Sequence, residues 1–581
     1  MNPEHQELLS RMSIDEKIGL LLTVVLEGTT PSPCFEDMIL GFHLGGIRIV
    51  PASRYNQRKV VSRRTLNNPA LEKVYIRSGV GDSPIVTLAE YARLIAGYQA
   101  KRMATSGIPL RVVFDQEGGF SRDLTFGGAP VFPKPMGFTA GGKPELAYEA
   151  GRAVGRLGRA VGANMVHSPI LDVNVNPENP EIYTRAFGDD PEVIAEYALE
   201  QARGLKEAGV IATGKHFPGR GDSDGDAHSE IPIINVDYDT LIKRDLYPYS
   251  VLIKEKMLPA IMTAHSLYPA MDKEEVATLS KRILEGHLRE TMGFEGVITT
   301  DAIGMGGILL KYDIVTACVK AFEAGVDMIL LRTATGEPIG PFVPQIIERT
   351  KEAIEDGVIP ESELDRKVMR VLRSYSDAGL WENMSQPRED VNDVLKDPHI
   401  LSVCQEANHR SICKLRDLDA LLPLAENTRA LVIEQRYPRT YCPHDGSWYS
   451  GIFYDKLSRF STELSYIETS SKATAEEEKT VLNYCDNYDV LIMTNWFYRS
   501  EIQSNSSLAK KLLSAGKNII ILANTPYEQQ CIPASARTVL VQFGVTPESI
   551  DYASKIIFGK GEALGTWPIS YNPTQPQNRT L

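Results

Sequence analysis

The sequence predicts an α/β protein: a (β/α)8 TIM-type barrel followed by a smaller α/β sandwich domain. Three observations predict it. The chain has 581 residues, and single cores stop growing near roughly 250–300, so two domains are expected. Over the first two-thirds, eight short runs rich in apolar and β-branched residues alternate with long amphipathic stretches, which implies a parallel sheet. Charged residues recur at the C-terminal ends of those runs, where barrel enzymes carry their chemistry.

In chain order the strand candidates are "GLLLTVV" (19–25), "GGIRIV" (45–50), "RVVFD" (111–115), "NMVHSPILDV" (164–173), "VIATGKH" (210–216), "PAIMTAH" (259–265), "GVITTD" (296–301) and "VDMILL" (326–331). Helical stretches separate them, among them residues 88–107, 145–162, 191–209, 280–293 and 342–357. Gly closes several, as a left-handed cap should. An open doubly wound sheet also places ligands at strand ends, so the polar positions argue for a site more strongly than for closure. The expected barrel domain is 1–380 and a polar, Pro-containing linker follows at 381–395. The remainder, 396–581, has its own βα rhythm in "RALVIEQ", "YDVLIMTNW", "KNIIILAN" and "RTVLVQFG". Its expected role is scaffold or homodimer contact.

Composition excludes several classes. A net charge of −13 argues against nucleic acid, which wants a basic face. The densest basic run, Arg54 to Arg64, reads as a solvated loop or subunit contact, with an acidic-ligand site as the alternative. Seven scattered cysteines show no CxxC or zinc spacing and fit buried thiols in a reducing compartment. The N-terminus lacks a basic segment followed by an apolar one, and no run approaches the ~20 apolar residues of a membrane span. A cytoplasmic protein with no membrane partner is expected.

One stretch carries the densest chemistry: "KHFPGRGDSDGDAHSEIP", Lys215 to Pro232. As a calcium loop starting at Asp222 it fails, because Ala227 and Ile233 stand where Gly and Glu are required. As a zinc site it lacks HExxH or a thiolate pair. As a proton-transfer loop it fits: Asp226 and His228 are two residues apart, and a carboxylate favours imidazolium and fixes the ring. A capped, solvated turn is the plain alternative. A lone carboxylate, Asp301, ends another strand in "TTDAIGMGG". An ionised Asp plus a separate acid/base is the kit of a retaining glycosidase. "GMGG" lacks Gly at 309, so a dinucleotide loop is not expected there. No cofactor and no metal is expected.

These residues also resemble a known family. "KHFPGRGDSDGDAH", "FDQEGG" (114–119), "SPILDVN…TRAFGDDP", "TAHSLYPAMD" and "TTDAIGMGG" occur in the order found in glycoside hydrolase family 3, in its bacterial β-N-acetylglucosaminidase branch. The resemblance spans most of 8–380, and "GKGEALGTWPIS" (559–570) resembles the end of the second domain of longer members. It implies Asp301 as nucleophile and His228, backed by Asp226, as acid/base. It implies Asp115, Arg185, Lys215 and His216 as ligands of sugar hydroxyls. Arg122 stands one residue earlier than the arginine expected after DQEGG. Met305 is expected to pack against the sugar, with core filling as the alternative. His265 and Asp172 are expected to be supporting residues.

The implied activity is a retaining exo-β-N-acetylhexosaminidase acting on small carbohydrates. The alternatives are another specificity (β-N-acetylgalactosaminide or β-glucoside), phosphorolysis on the same machinery, and a non-catalytic sugar-binding protein. Three departures from the family pattern stand out: Arg220 for His, Ala227 for Ser, and Ala302 for a second Asp after the nucleophile.

Overall fold

Eight parallel strands close into a barrel in the computed structural model, which describes residues 3–27, 33–50, 87–119, 123–333, 339–381, 389–436, 449–497 and 504–573. In chain order these are β1 (Leu22–Glu27), β2 (Gly46–Val50), β3 (Arg111–Phe114), β4 (Met165–Val166), β5 (Ile211–Phe217) and β6 (Ala260–Thr263). A small antiparallel hairpin, β7 (Leu267–Tyr268) and β8 (Asp272–Val276), precedes the last two, β9 (Val297–Gly304) and β10 (Met328–Thr333). The barrel order is β1-β10-β9-β6-β5-β4-β3-β2. Each expected run overlaps one barrel strand, and β1, β5, β9 and β10 run one to three residues beyond the expected ends. The hairpin was not foreseen, because its strands are too short to show an alternating pattern.

The strands are continuous apolar runs because both faces are covered: side chains fill the barrel inside and helices lie outside. Ile47, Ile49, Val112, Val113, Ile261 and Ile298 are all buried. Local signals start and stop the helices. Thr87 and Glu90 form a capping box for Leu88–Ser106, and Asp190 caps Pro191–Glu207. The helices Pro144–Val161 and Pro191–Glu207 cross closely at glycine. A Cβ on Gly151 would lie 2.3 Å from the Gln201 carbonyl oxygen, and one on Gly204 would lie 2.0 Å from that of Tyr148.

The second sheet has six strands: β11 (Cys413–Asp417), β12 (Ala430–Gln435), β13 (Leu464–Thr469), β14 (Val490–Asn495), β15 (Ile519–Ala523) and β16 (Thr538–Val541). Their order is β11-β16-β15-β14-β12-β13, parallel except for the antiparallel edge strand β11. The sequence shows four of the six. The two it hides, β11 and β13, are edges whose interiors are half-buried and polar. One face of this sheet shares an apolar cluster with Met136, Ala140 and Tyr183 of the barrel domain. The helix Pro398–Arg410 contributes Ile400, Val403, Cys404 and Ala407 to the barrel's own core.

The turns after β14, β15 and β16 face the barrel. Phe497 packs edge-on to Tyr183 at 5.7 Å, Tyr527 Oη accepts from Asn174 Nδ2 at 2.7 Å, and the Phe543 carbonyl accepts from Lys134 N at 2.7 Å. Segment 172–189 is thereby held between the barrel and the second sheet. No described helix is long and apolar enough to cross a membrane. Arg122 and the basic run 54–64 lie outside the described residues.

Candidate active site

The charged residues expected at the strand ends converge on the C-terminal mouth of the barrel. Asp115, after β3, pairs with Arg48 of β2, with His167 Nδ1 at 3.1 Å and with Lys215 Nζ at 3.4 Å. Burial pushes the Asp115 carboxyl up, but Arg48, Lys215 and His167 together hold it well below the usual carboxylate range. Lys215 Nζ also lies 2.5 Å from Glu117, and Arg185 clasps that carboxylate with Nε at 2.7 Å and Nη2 at 3.0 Å. Here too the cations outweigh burial and keep Glu117 ionised. Asp115, Lys215 and Arg185 therefore form one buried network through Glu117.

On the other side, His216 Nδ1 is 2.8 Å from Asp172 Oδ2, and its Nε2 is 3.9 Å from Asp301 Oδ2. Burial, then Arg220, Arg185 and Lys215, push the His216 pKa well down, so the imidazole is neutral at neutral pH. With Nδ1 donating to Asp172, its Nε2 is an acceptor facing the mouth. Asp172 also accepts from the Arg220 backbone N–H at 2.9 Å, which pins the start of the Gly-rich loop.

Asp301 sits inside β9. Burial raises its carboxyl, but Arg220, His265, the Ala302 N–H and Lys215 bring it down to about 2. Arg220 Nη2 stands 3.6 Å away. His265 is buried and bonds Thr278 and the Ala302 carbonyl, as a supporting residue would. Met305 is buried yet lies outside the barrel's apolar cluster.

Asp226 and His228 form the expected pair, with Oδ1 2.7 Å from Nδ1, and the imidazole is 44 % exposed at the rim. Their loop docks on the turn after β9. The Gly307 N–H donates to the Ala227 carbonyl at 3.0 Å, and a Cβ on Gly306 would lie 2.4 Å from the His228 carbonyl oxygen. The "GMGG" glycines thus permit a backbone to approach a backbone.

Sequence reasoning missed four contributors. Arg48, Glu117, His167 and Glu181 are all buried in the network. Glu117 was visible inside "FDQEGG" as a carboxylate among glycines. Glu181, in "NPENPEIY", carried no spacing signal. It pairs with Arg220 Nη2 at 2.9 Å and lies 3.6 Å from His228 Nδ1. Glu181, Asp226 and His228 bring one ligand atom each within 4.8 Å of one another. The guanidinium beside Glu181 opposes a divalent cation there, so we assign no metal.

Comparison with known proteins fits this geometry. The chain is 30% identical over 348 residues to a protein named beta-hexosaminidase A from Pseudoalteromonas piscicida; the match spans 57% of each chain. It is 26% identical to a beta-N-acetylglucosaminidase/beta-glucosidase from Cellulomonas fimi, over 74% of this chain and 68% of that protein. Its structure superposes on a glycoside hydrolase family 3 beta-N-acetylglucosaminidase from Paenibacillus sp. str. FPU-7 with a TM-score of 0.81 at 26% identity, covering 96% of this chain and 99% of that one. The model of the glycosyl hydrolase family 3 N terminal domain matches residues 13–374, well over half the sequence, and the chain belongs to that family.

Proposed function

We propose that the protein is a retaining exo-β-N-acetylhexosaminidase that releases terminal β-linked amino sugars from small soluble glycosides. The observation that carries the reading is one juxtaposition. An ionised carboxylate, Asp301, and an imidazole–carboxylate pair, His228 and Asp226, are presented by the two ends of a single loop-on-turn contact at the barrel mouth. The names of the Pseudoalteromonas and Paenibacillus relatives support the amino-sugar class.

The chemistry runs in two steps. Asp301 attacks C1 through an oxocarbenium-like transition state while His228 Nε2 protonates the leaving oxygen. Asp226 at Nδ1 orients the ring for this transfer. The neutral imidazole then takes a proton from water, which attacks C1 and returns the sugar with retained configuration. Asp115, Lys215, Arg185 and His216 hold the sugar hydroxyls, and Met305 packs beneath the ring. Asp115 and Glu117 serve two functions: they accept from hydroxyls and keep Lys215 and Arg185 in place. The second domain acts as a scaffold for segment 172–189.

A panel of p-nitrophenyl β-glycosides of GlcNAc, GalNAc, glucose and xylose, with and without phosphate, tests this. GlcNAc is expected to turn over fastest, and phosphate is expected to leave the rate and the free-sugar product unchanged. Preference for glucose would move the specificity to the second activity named for the Cellulomonas relative. Sugar 1-phosphate as product would make the enzyme a phosphorylase. No turnover of any glycoside would leave a sugar-binding protein.

A further inference from the structure

Arg220 departs from the family pattern at a position where the structure gives it unusual partners. Its side chain is 2 % exposed, and Nη2 reaches both Glu181 Oε1 at 2.9 Å and the nucleophile's Oδ2 at 3.6 Å. Glu181, 3 % exposed, lies 3.6 Å from Nδ1 of His228. When His228 carries the proton it is to donate, the four groups alternate in sign: Asp301, Arg220, Glu181, His228. The backbone fixes the middle two. Asn179 donates to the Arg220 carbonyl at 2.9 Å and accepts from the Glu181 N–H at 3.0 Å. Glu181 also faces Arg185 Nη1 at 3.7 Å.

We propose that Arg220 and Glu181 are positioning residues that tie the nucleophile to the acid/base through one buried ion pair and keep the site's charge balanced through both half-reactions. The proposal rests on the glycosidase reading above. In the first half-reaction the C1–O bond to the aglycone breaks and its electron pair leaves on that oxygen, which takes the His228 proton. The Asp301 oxygen bonds to C1, and its negative charge disappears. Both outer charges vanish together, while the inner pair stays neutral as a unit. In the second half-reaction water bonds to C1, its proton passes to His228, and the Asp301–C1 bond breaks to restore the carboxylate.

Neither inner residue works without the other. A lone guanidinium at 220 favours the free carboxylate over its ester and slows the first bond change. A carboxylate at 181 left with only the more distant Arg185 grips the imidazolium and opposes proton donation. An unpaired buried charge is costly in either case, whereas removing both together is tolerated far better.

The test is a double-mutant cycle in the full chain with Arg220→Gln and Glu181→Gln, measured on aryl β-N-acetylglucosaminides. Each single variant is expected to lower kcat by about 30-fold or more with little change in KM, and the double variant to recover at least about tenfold over the weaker single. Leaving groups separate the two effects. Glu181→Gln should slow dinitrophenyl and simple phenyl glycosides alike. Arg220→Gln should slow phenyl glycosides about tenfold more than dinitrophenyl ones, which need no proton. If a Gln variant fails to fold, Arg220→Lys and Glu181→Asp carry the comparison; both are expected to keep the wild-type dependence on leaving group. A double variant equal to the product of the singles overturns the bridge, as does an identical leaving-group response in both. A wild type that turns over no glycoside would overturn the glycosidase reading instead, and an Asp301→Ala enzyme that stays active would remove the nucleophile the bridge serves; an inactive Asp301→Ala enzyme with an additive cycle overturns only the bridge.

Discussion

The barrel and the second sheet end their parallel strands in opposite ways. At the barrel mouth the strand ends carry Asp115, Lys215, His216 and Asp301, with Arg185, Arg220, Glu117 and Glu181 packed among them. At the corresponding edge of the second sheet stand Gln435, Thr494, Asn495 and Asn524. Gln435 N–H donates to Thr494 Oγ1 at 2.7 Å, and the Asn505 N–H donates to Asn495 Oδ1 at 2.7 Å. Asn524 closes a two-way contact with the Phe497 backbone, donating and accepting at 2.8 Å each. An amide can give and take in one place and so saturates itself locally. Ionised groups retain spare valence and field for a ligand. On the proposed function the barrel edge reacts and the second edge holds.

That contrast can be broken from either side, and the largest effect belongs to the nucleophile. Asp301→Ala is expected to lower kcat/KM by at least about 10³-fold while the melting midpoint holds or rises; comparable activity would remove the assignment. His228→Ala should cost about 10²-fold on nitrophenyl substrates and more on poor leaving groups, checked by initial rates across that series. In the wild type, the acid limb of kcat/KM must come from a group other than Asp301. With its pKa depressed to about 2, Asp301 is ionised throughout the range above roughly pH 3. A limb that shifts only when Asp301's neighbours are changed would contradict this.

The second edge should show the reverse pattern. Asn524→Ala strands two backbone groups of Phe497 and is expected to cost about 1–3 kcal/mol by denaturant unfolding, with kcat within about twofold. A large loss of kcat without loss of stability would mean that this edge also reacts. The smallest effect concerns Asp245 beneath the Gly-rich loop. Burial outweighs Arg244 and raises its carboxyl to about 7. Its folded pKa lies above the unfolded one, so the stability it contributes is full below about pH 4 and fades as pH climbs through 7. Asp245→Asn removes this linkage but forfeits the Arg244 contact, so a modest net gain in stability is expected at pH 8 and none near pH 4; an equal gain at both pH values would refute the burial argument.

What the sequence determined by itself was whatever is local. Strand runs, capping boxes and closing glycines follow from a few neighbouring residues, so the barrel's eight strands and four of the second sheet's were legible. The contact between Asp226 and His228 was legible for the same reason, because the two lie two positions apart, whereas Asp301 was expected to end its strand and β9 runs on to Gly304. The "GMGG" turn was visible too, but its purpose was not: it accommodates a loop nearly eighty residues upstream. Tertiary structure alone decided which charges meet. Glu181 reaches Arg220 across 39 positions, and Glu117 reaches Arg185 across 68. No periodicity encodes such pairs. A buried charge is tolerated only where folding delivers its counter-charge, so the partner is chosen by barrel closure and by the second sheet pressing on segment 172–189, not by distance along the chain.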